Sequence, residues 1–124
     1  MRKKILFLAG MMACCSLAGA QEISKTWVAD KGNGTYQNPV LHADYSDPDV
    51  IRVGDIYYMT ASSFNYVPGL PILTSKDLVN WEFVTYIFDK LDLGPDFHLE
   101  GDKGIYGNGI WAPAIRYHKG TFYV

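Results

Sequence analysis

The sequence predicts an all-β fold assembled from four-stranded antiparallel units, the organisation of a β-propeller. Three observations predict it. Short β-rich runs recur with turn residues between them. Residues 46–59 return as residues 111–124, with Pro48 matching Pro113, Val50 matching Ile115, Tyr57 matching Phe122 and Tyr58 matching Tyr123. The offset is about 65 residues, room for roughly four strands per unit. Aromatic residues make up 15% of the chain, with nine Tyr, six Phe and three Trp. Aromatic side chains fill β cores, and their faces also stack on sugar rings. Evenly spaced short strands alone would equally suit a β-sandwich.

The elements follow in order. Residues 50–53 and 56–61 are β-rich and are separated by Gly54-Asp55, a tight hairpin signal. Residues 62–69 read as a loop. Residues 70–74 read as a third strand, although Pro71 argues against a central, fully paired position. Residues 75–81 form a turn that delivers Trp81 into a fourth strand, residues 82–87, whose alternation is imperfect. Residues 88–106 are a long connection containing Gly94-Pro95, with a short helical turn expected around residues 89–91. Loops of this length often carry function. The second unit then starts, and the chain ends within its strand pair. A propeller needs at least four blades, so the sequence reads as the N-terminal part of a longer protein.

The first twenty residues stand apart. Arg2, Lys3 and Lys4 precede a short apolar stretch, and Ala18-Gly19-Ala20 supplies small residues before Gln21. This is the pattern of a secretory leader cleaved after Ala20. The apolar stretch is too short for a stable membrane span. Lipidation at Cys14 is the alternative. The domain reading is therefore a leader over residues 1–20, a flexible lead-in over 21–35 and a β-propeller portion over 36–124. An exported location follows: periplasmic, cell-surface or extracellular. Both cysteines, Cys14 and Cys15, lie in the leader. The remainder can form no disulfide and no thiolate metal site.

Charge narrows the partners. Eleven basic residues against thirteen acidic ones give a net charge of −2, with no basic run. Nucleic acid is an unsuitable partner for such a surface. Asp92, Asp96 and Asp102 lack the regular spacing of a dedicated calcium loop. No cofactor is expected from the residues present. His42 and His118 are isolated in the sequence and carry no ligand pattern.

The chemistry-bearing stretch is residues 38–51, where Asp44, Asp47 and Asp49 cluster around Pro48 ahead of an apolar strand. Pro48 fixes its own φ and is expected to push Asp47 into extended geometry. A carboxylate held rigidly at the start of a strand suits a general base. Asp and Pro are also ordinary turn residues, so the stretch alone does not decide. Asp49 reads as a turn-stabilising carboxylate and Asp44 as a solvated turn residue.

Three elements stand together: Asp47-Pro48-Asp49, the loop at residues 62–69 with its following turn at 75–81, and Gly109-Ile110-Trp111-Ala112-Pro113. Jointly they resemble the N-terminal region of glycoside hydrolase family 43, from about Tyr36 to Val124, and most nearly its exported xylosidase and arabinofuranosidase members. The resemblance implies the first blade and the start of the second blade of a five-bladed β-propeller. It implies an inverting glycosidase acting on xylosyl or arabinofuranosyl linkages of pentose-containing polysaccharide or oligosaccharide. Asp47 matches the family's general base. Phe64 and Trp111 match positions lining the sugar, and Asn65 is a candidate partner for a sugar hydroxyl. The family's general acid is a Glu of a later blade, and a further Asp that orients it also comes later. Glu82 and Glu100 do not sit in matching contexts. The resemblance thus implies that these residues alone are inactive, and it leaves open a calcium ion on the propeller axis of the full-length protein. Ala114 departs from members that carry Asp or Glu there, which bears on substrate choice. The alternative is a non-catalytic carbohydrate-binding β module, which would account for the aromatic residues but not for Asp47.

Overall fold

The computed structural model describes residues 27–64, 66–98, 100, 102 and 107–124. The expected leader and the first part of the lead-in lie outside these residues. So does Asn65.

The chain forms an antiparallel meander of β1 (Asp49–Val53), β2 (Ile56–Thr60), β3 (Gly69–Ser75) and β4 (Trp81–Phe88), in that spatial order. β5 (Arg116–His118) and β6 (Thr121–Tyr123) form a separate antiparallel pair. Each hairpin rests on its turn. Val53 pairs with Ile56 across Gly54-Asp55, and Gly54 takes a positive φ of 63°. A positive φ at the first central position alone is the II′ pattern, which glycine supplies without steric cost. His118 pairs with Thr121 across Lys119-Gly120, where both residues have positive φ. The I′ pattern requires this. The two turns keep the spacing at which the sequence repeats, so the second unit starts as the first does.

β3 differs from expectation in its position. It is central, paired to β2 on one side and β4 on the other. Pro71 pairs with Tyr86 of β4, whereas the β2 ladder stops at Thr60↔Ile72. The missing N–H of Pro71 therefore falls beyond the β2 pairing and leaves no gap in it. The register against β4 shifts between Ile72 and Leu73, which leaves Val84 of β4 as the extra, bulged residue.

The apolar core sits on β2 and β3. Met59, Ala61, Leu70, Ile72 and Leu73 are buried, as is Ile115 just before β5. β4 is the outer strand, with Phe83, Val84, Tyr86 and Ile87 exposed.

Two further expectations change. The helical turn of the long connection lies at Pro95–His98 rather than around residues 89–91. Pro95 presets the first φ of such a turn, and the Phe97 N–H closes it on the Gly94 carbonyl at 3.1 Å. From Trp27 onward the lead-in is held to the sheet. The Trp27 indole donates to the Pro39 carbonyl at 2.8 Å, and the Gln37 N–H donates to the Ala29 carbonyl at 3.0 Å. Asn80 Nδ2 reaches Asp30 at 2.8 Å and Asp77 at 2.8 Å, joining the lead-in to the β3–β4 turn. Donation from the Asn80 side chain and from the Asn80 and Val79 N–H groups keeps the Asp77 carboxyl far below the usual carboxylate range.

Asp49 ties the two units together. Its Oδ2 accepts the Ile115 N–H at 2.8 Å and an Arg116 Nη1 hydrogen. The Ile115 N–H, opposed by partial burial and helped by Arg116, lowers the Asp49 carboxyl below its ordinary 3.8. A group depressed in the folded state adds stability above its unfolded pKa and loses it as pH falls through the folded one. Asp49→Ala should therefore cost about 1–2 kcal/mol at neutral pH, mostly from the orphaned backbone donor, since the exposed ion pair adds little. In thermal melts the gap from the parent should be full above pH 3.8 and narrow, without closing, as pH falls below it, because a protonated carboxyl still accepts the Ile115 N–H but more weakly. A gap that persists unchanged into strong acid would show that Asp49 contributes by another route.

Candidate active site

The hairpin register constructs the site. β1 and β2 pair Asp49 with Thr60. Continuing that ladder two steps outward brings Asp47 opposite Ser62. The Ser62 N–H donates to the Ser46 carbonyl at 2.9 Å, which closes this extension. The Ser62 hydroxyl donates to Asp47 Oδ2 at 3.0 Å, and the Ser46 hydroxyl approaches the same oxygen at 3.3 Å.

Asp47 is not extended. Its φ is +48°, in the left-handed region. The following proline disfavours the right-handed α region without dictating the alternative. Here the backbone bond from Ser62 to Ser46 and the hydroxyls on Oδ2 hold the other choice. Ala112, which also precedes a proline and occupies the equivalent place in the second unit, has φ +42°. Asp47, Phe64 and Ala112 are three of six non-glycine residues with positive φ among those described. Such conformations cost free energy and persist where surrounding contacts over-determine them.

The second unit reaches this place through a short bridge. The Ile110 carbonyl accepts the Ser63 and Phe64 N–H groups at 3.1 and 3.0 Å, and the Ile110 N–H returns to the Phe64 carbonyl at 2.7 Å. The Ala112 N–H donates to the Ser62 hydroxyl at 2.8 Å. Phe64 and Trp111 consequently meet edge to face, with ring centroids 4.7 Å apart and planes at 88°. That geometry suits the charge distribution of two aromatic rings. Trp111 is 54% exposed in this chain.

Of the sequence-predicted site residues, the structure brings Phe64 and Trp111 together through the bridge to Ile110 and links Asp47 to the same segment through Ser62, which bonds both Asp47 and Ala112. Asn65 lies outside the described residues. Ser62 is the site residue that sequence reasoning passed over. The signal was present: the Gly54-Asp55 turn sets a register that places residue 62 opposite Asp47. The other polar candidates stay structural. Glu100 pairs with Lys90 at 2.8 Å, and His42 packs against Trp27 with centroids 5.2 Å apart. Glu82 and Asp44 are exposed. Tyr66 donates its hydroxyl to the Ser62 carbonyl at 3.1 Å. Burial first, then Tyr86, Asp44 and Tyr45, pushes that phenol up, so it remains a donor.

A hollow of about 440 Å³ lies between the lead-in and the sheet, lined by Pro39, Val40, Tyr45, Pro48, Met59 and Trp81 among others. Its lining carries no carboxylate, and Tyr45 is its one titratable side chain. Among the described residues no group of three or more His, Cys, Asp or Glu could hold a metal ion. Among them also, no helix is long and apolar enough to cross a membrane.

Comparison with known proteins adds the family. The chain is 45% identical over 108 residues to a beta-xylosidase of Formosa agariphila, a match covering 84% of this chain and 18% of that protein. It is 40% identical over 90 residues to a non-reducing end alpha-L-arabinofuranosidase of Bacteroides ovatus, covering 73% of this chain and 16% of that protein. Among solved structures, a bifunctional GH43-CE protein of Bacteroides eggerthii superposes with a TM-score of 0.64 at 46% identity, over 69% of this chain and 11% of that one. The chain thus spans less than a fifth of the length of these relatives. The fold is accordingly the first blade and the start of the second in a five-bladed propeller. The profile of Glycosyl hydrolases family 43 matches residues 36–124, and with these relatives it shows that the chain belongs to that family.

Proposed function

We propose that this chain supplies the general base and part of the sugar-binding wall of a longer, exported glycoside hydrolase that cleaves xylosyl or arabinofuranosyl linkages with inversion. One observation carries the reading: Oδ2 of Asp47 is held by two hydroxyls, while Oδ1 accepts no hydrogen bond from the described residues. A carboxylate fixed by one oxygen and open at the other is suited to take a proton from water. The relatives named for xylosidase and arabinofuranosidase activity support the substrate class.

In this reading Asp47 accepts a proton from water as the water oxygen bonds to the anomeric carbon. The bond from that carbon to the leaving oxygen breaks, and a carboxylic acid from a later part of the protein protonates the leaving oxygen. The two carboxyl groups of an inverting pair stand about 6.5–9.5 Å apart, which leaves room for the water. Phe64 and Trp111 form the apolar wall beside the ring. Asn65 is assigned to a sugar hydroxyl on its loop position. A module that only bound sugar would use the two aromatic residues but would have no need of the anchored carboxylate. Export by the leader at residues 1–20 belongs to the same proposal.

NMR of the first product released by the full-length protein tests the stereochemistry. The first sugar signal should have the anomeric configuration opposite to that of the substrate. Retention would require a covalent intermediate and would remove Asp47 from the role of base.

A further inference from the structure

We infer that Ser62 is the positioning residue for the Asp47 carboxylate, turning its other oxygen toward the reacting water and coupling it to the aromatic wall through Ala112. The inference rests on the reading of Asp47 as the base and extends it to a residue that does not touch substrate.

The polarity of the contact is forced. A serine hydroxyl has one hydrogen and two lone pairs. The Ala112 N–H occupies a lone pair at 2.8 Å. An ionised carboxylate only accepts, so the hydroxyl hydrogen goes to Asp47 Oδ2, at 3.0 Å. Ser46 touches the same oxygen from a longer 3.3 Å. With Oδ2 held, rotation about the carboxylate bond is restricted and Oδ1 faces away from the anchor.

Ser62 is built to hold still. It is 0% exposed. Its N–H is committed to Ser46 and its carbonyl to the Tyr66 hydroxyl. A hydroxyl so fixed can locate a neighbouring group within a few tenths of an ångström. The same oxygen meets the segment bearing Trp111. The position of the base and the position of the sugar wall are thus referred to one atom.

The test uses the full-length protein with Ser62→Ala and Ser62→Cys, beside Asp47→Asn. A base displaced by about 1 Å costs on the order of a hundredfold in rate. Ser62→Ala should lower kcat about tenfold to a hundredfold and leave KM within about twofold, the split expected when only the transition state is affected. Ser62→Cys keeps the shape and offers a weaker donor. It should lie between the parent and Ser62→Ala, and it carries the test alone if Ser62→Ala does not fold. Parental kcat in the folded Cys variant, or in the folded Ala variant, overturns the inference. A raised KM with parental kcat also overturns it, because the hydroxyl would then serve only the wall. Asp47→Asn separates the two claims. If it keeps turnover, the base assignment fails. If it loses turnover while the Ser62 variants do not, only the role of Ser62 fails.

Discussion

Asp47→Asn in the full-length protein is expected to lower kcat by about 10²–10⁴-fold, the range that one general base contributes. Binding of a pentose disaccharide, measured by calorimetry, should persist. The substitution suits the geometry. An amide oxygen can still accept from the Ser62 and Ser46 hydroxyls that hold Oδ2, so the strand start should keep its shape. The amide cannot take a proton from water at neutral pH. Phe64 and Trp111, the residues proposed to line the sugar, meet edge to face and are untouched by the change. Loss of rate with retained affinity is therefore the expected signature. A variant that kept most of its kcat would end the assignment of Asp47 as base. A variant that lost affinity as severely as rate would place Asp47 in binding.

Leu73→Ala is expected to destabilise the protein by about 2–5 kcal/mol, the range for a buried leucine whose cavity does not fully collapse. Leu73 is 2% exposed and lies on β3, the strand paired on both sides. It pairs with Met59 of β2 and Phe83 of β4. With two hydrogen-bonded neighbours, β3 has little freedom to move into the space left behind. Denaturant unfolding should show a lower midpoint with unchanged slope. A loss below about 1 kcal/mol would mean that the cavity collapses or that the core is centred elsewhere. The same substitution at Val84 of β4, 54% exposed, should have little effect and serves as the control.

Much of the fold was legible because local chemistry and the global arrangement agree. Gly54 supplies the positive φ of the first hairpin, and Lys119-Gly120 repeats the device in the second. The repeat spacing then marks the start of a second unit. Pro71 misled because a proline excludes pairing on its N–H side only. Whether that side has a neighbouring strand depends on where the β2 ladder ends. The helical turn lies later than residues 89–91 because Pro95, following Gly94, supplies its starting φ.

The candidate site divides along the same line. The resemblance to the family singles out Asp47, Phe64 and Trp111, whereas residue types alone leave Asp47 an ordinary turn residue beside a proline. Ser62 lay within reach of the hairpin register, yet a serine in a loop announces nothing until its neighbour across the ladder is known. The backbone bend at Asp47, the meeting of Phe64 with Trp111 and the staple from Asp49 to Ile115 required the tertiary structure. Each depends on residues 47 or more positions apart in the chain, or on hydrogen bonds that outweigh a local preference. Sequence determines which groups are available and the period at which strands turn. Only packing of the second unit against the first brings the Ala112 N–H onto the Ser62 hydroxyl, because that donor lies across the boundary between them, 50 residues along the chain.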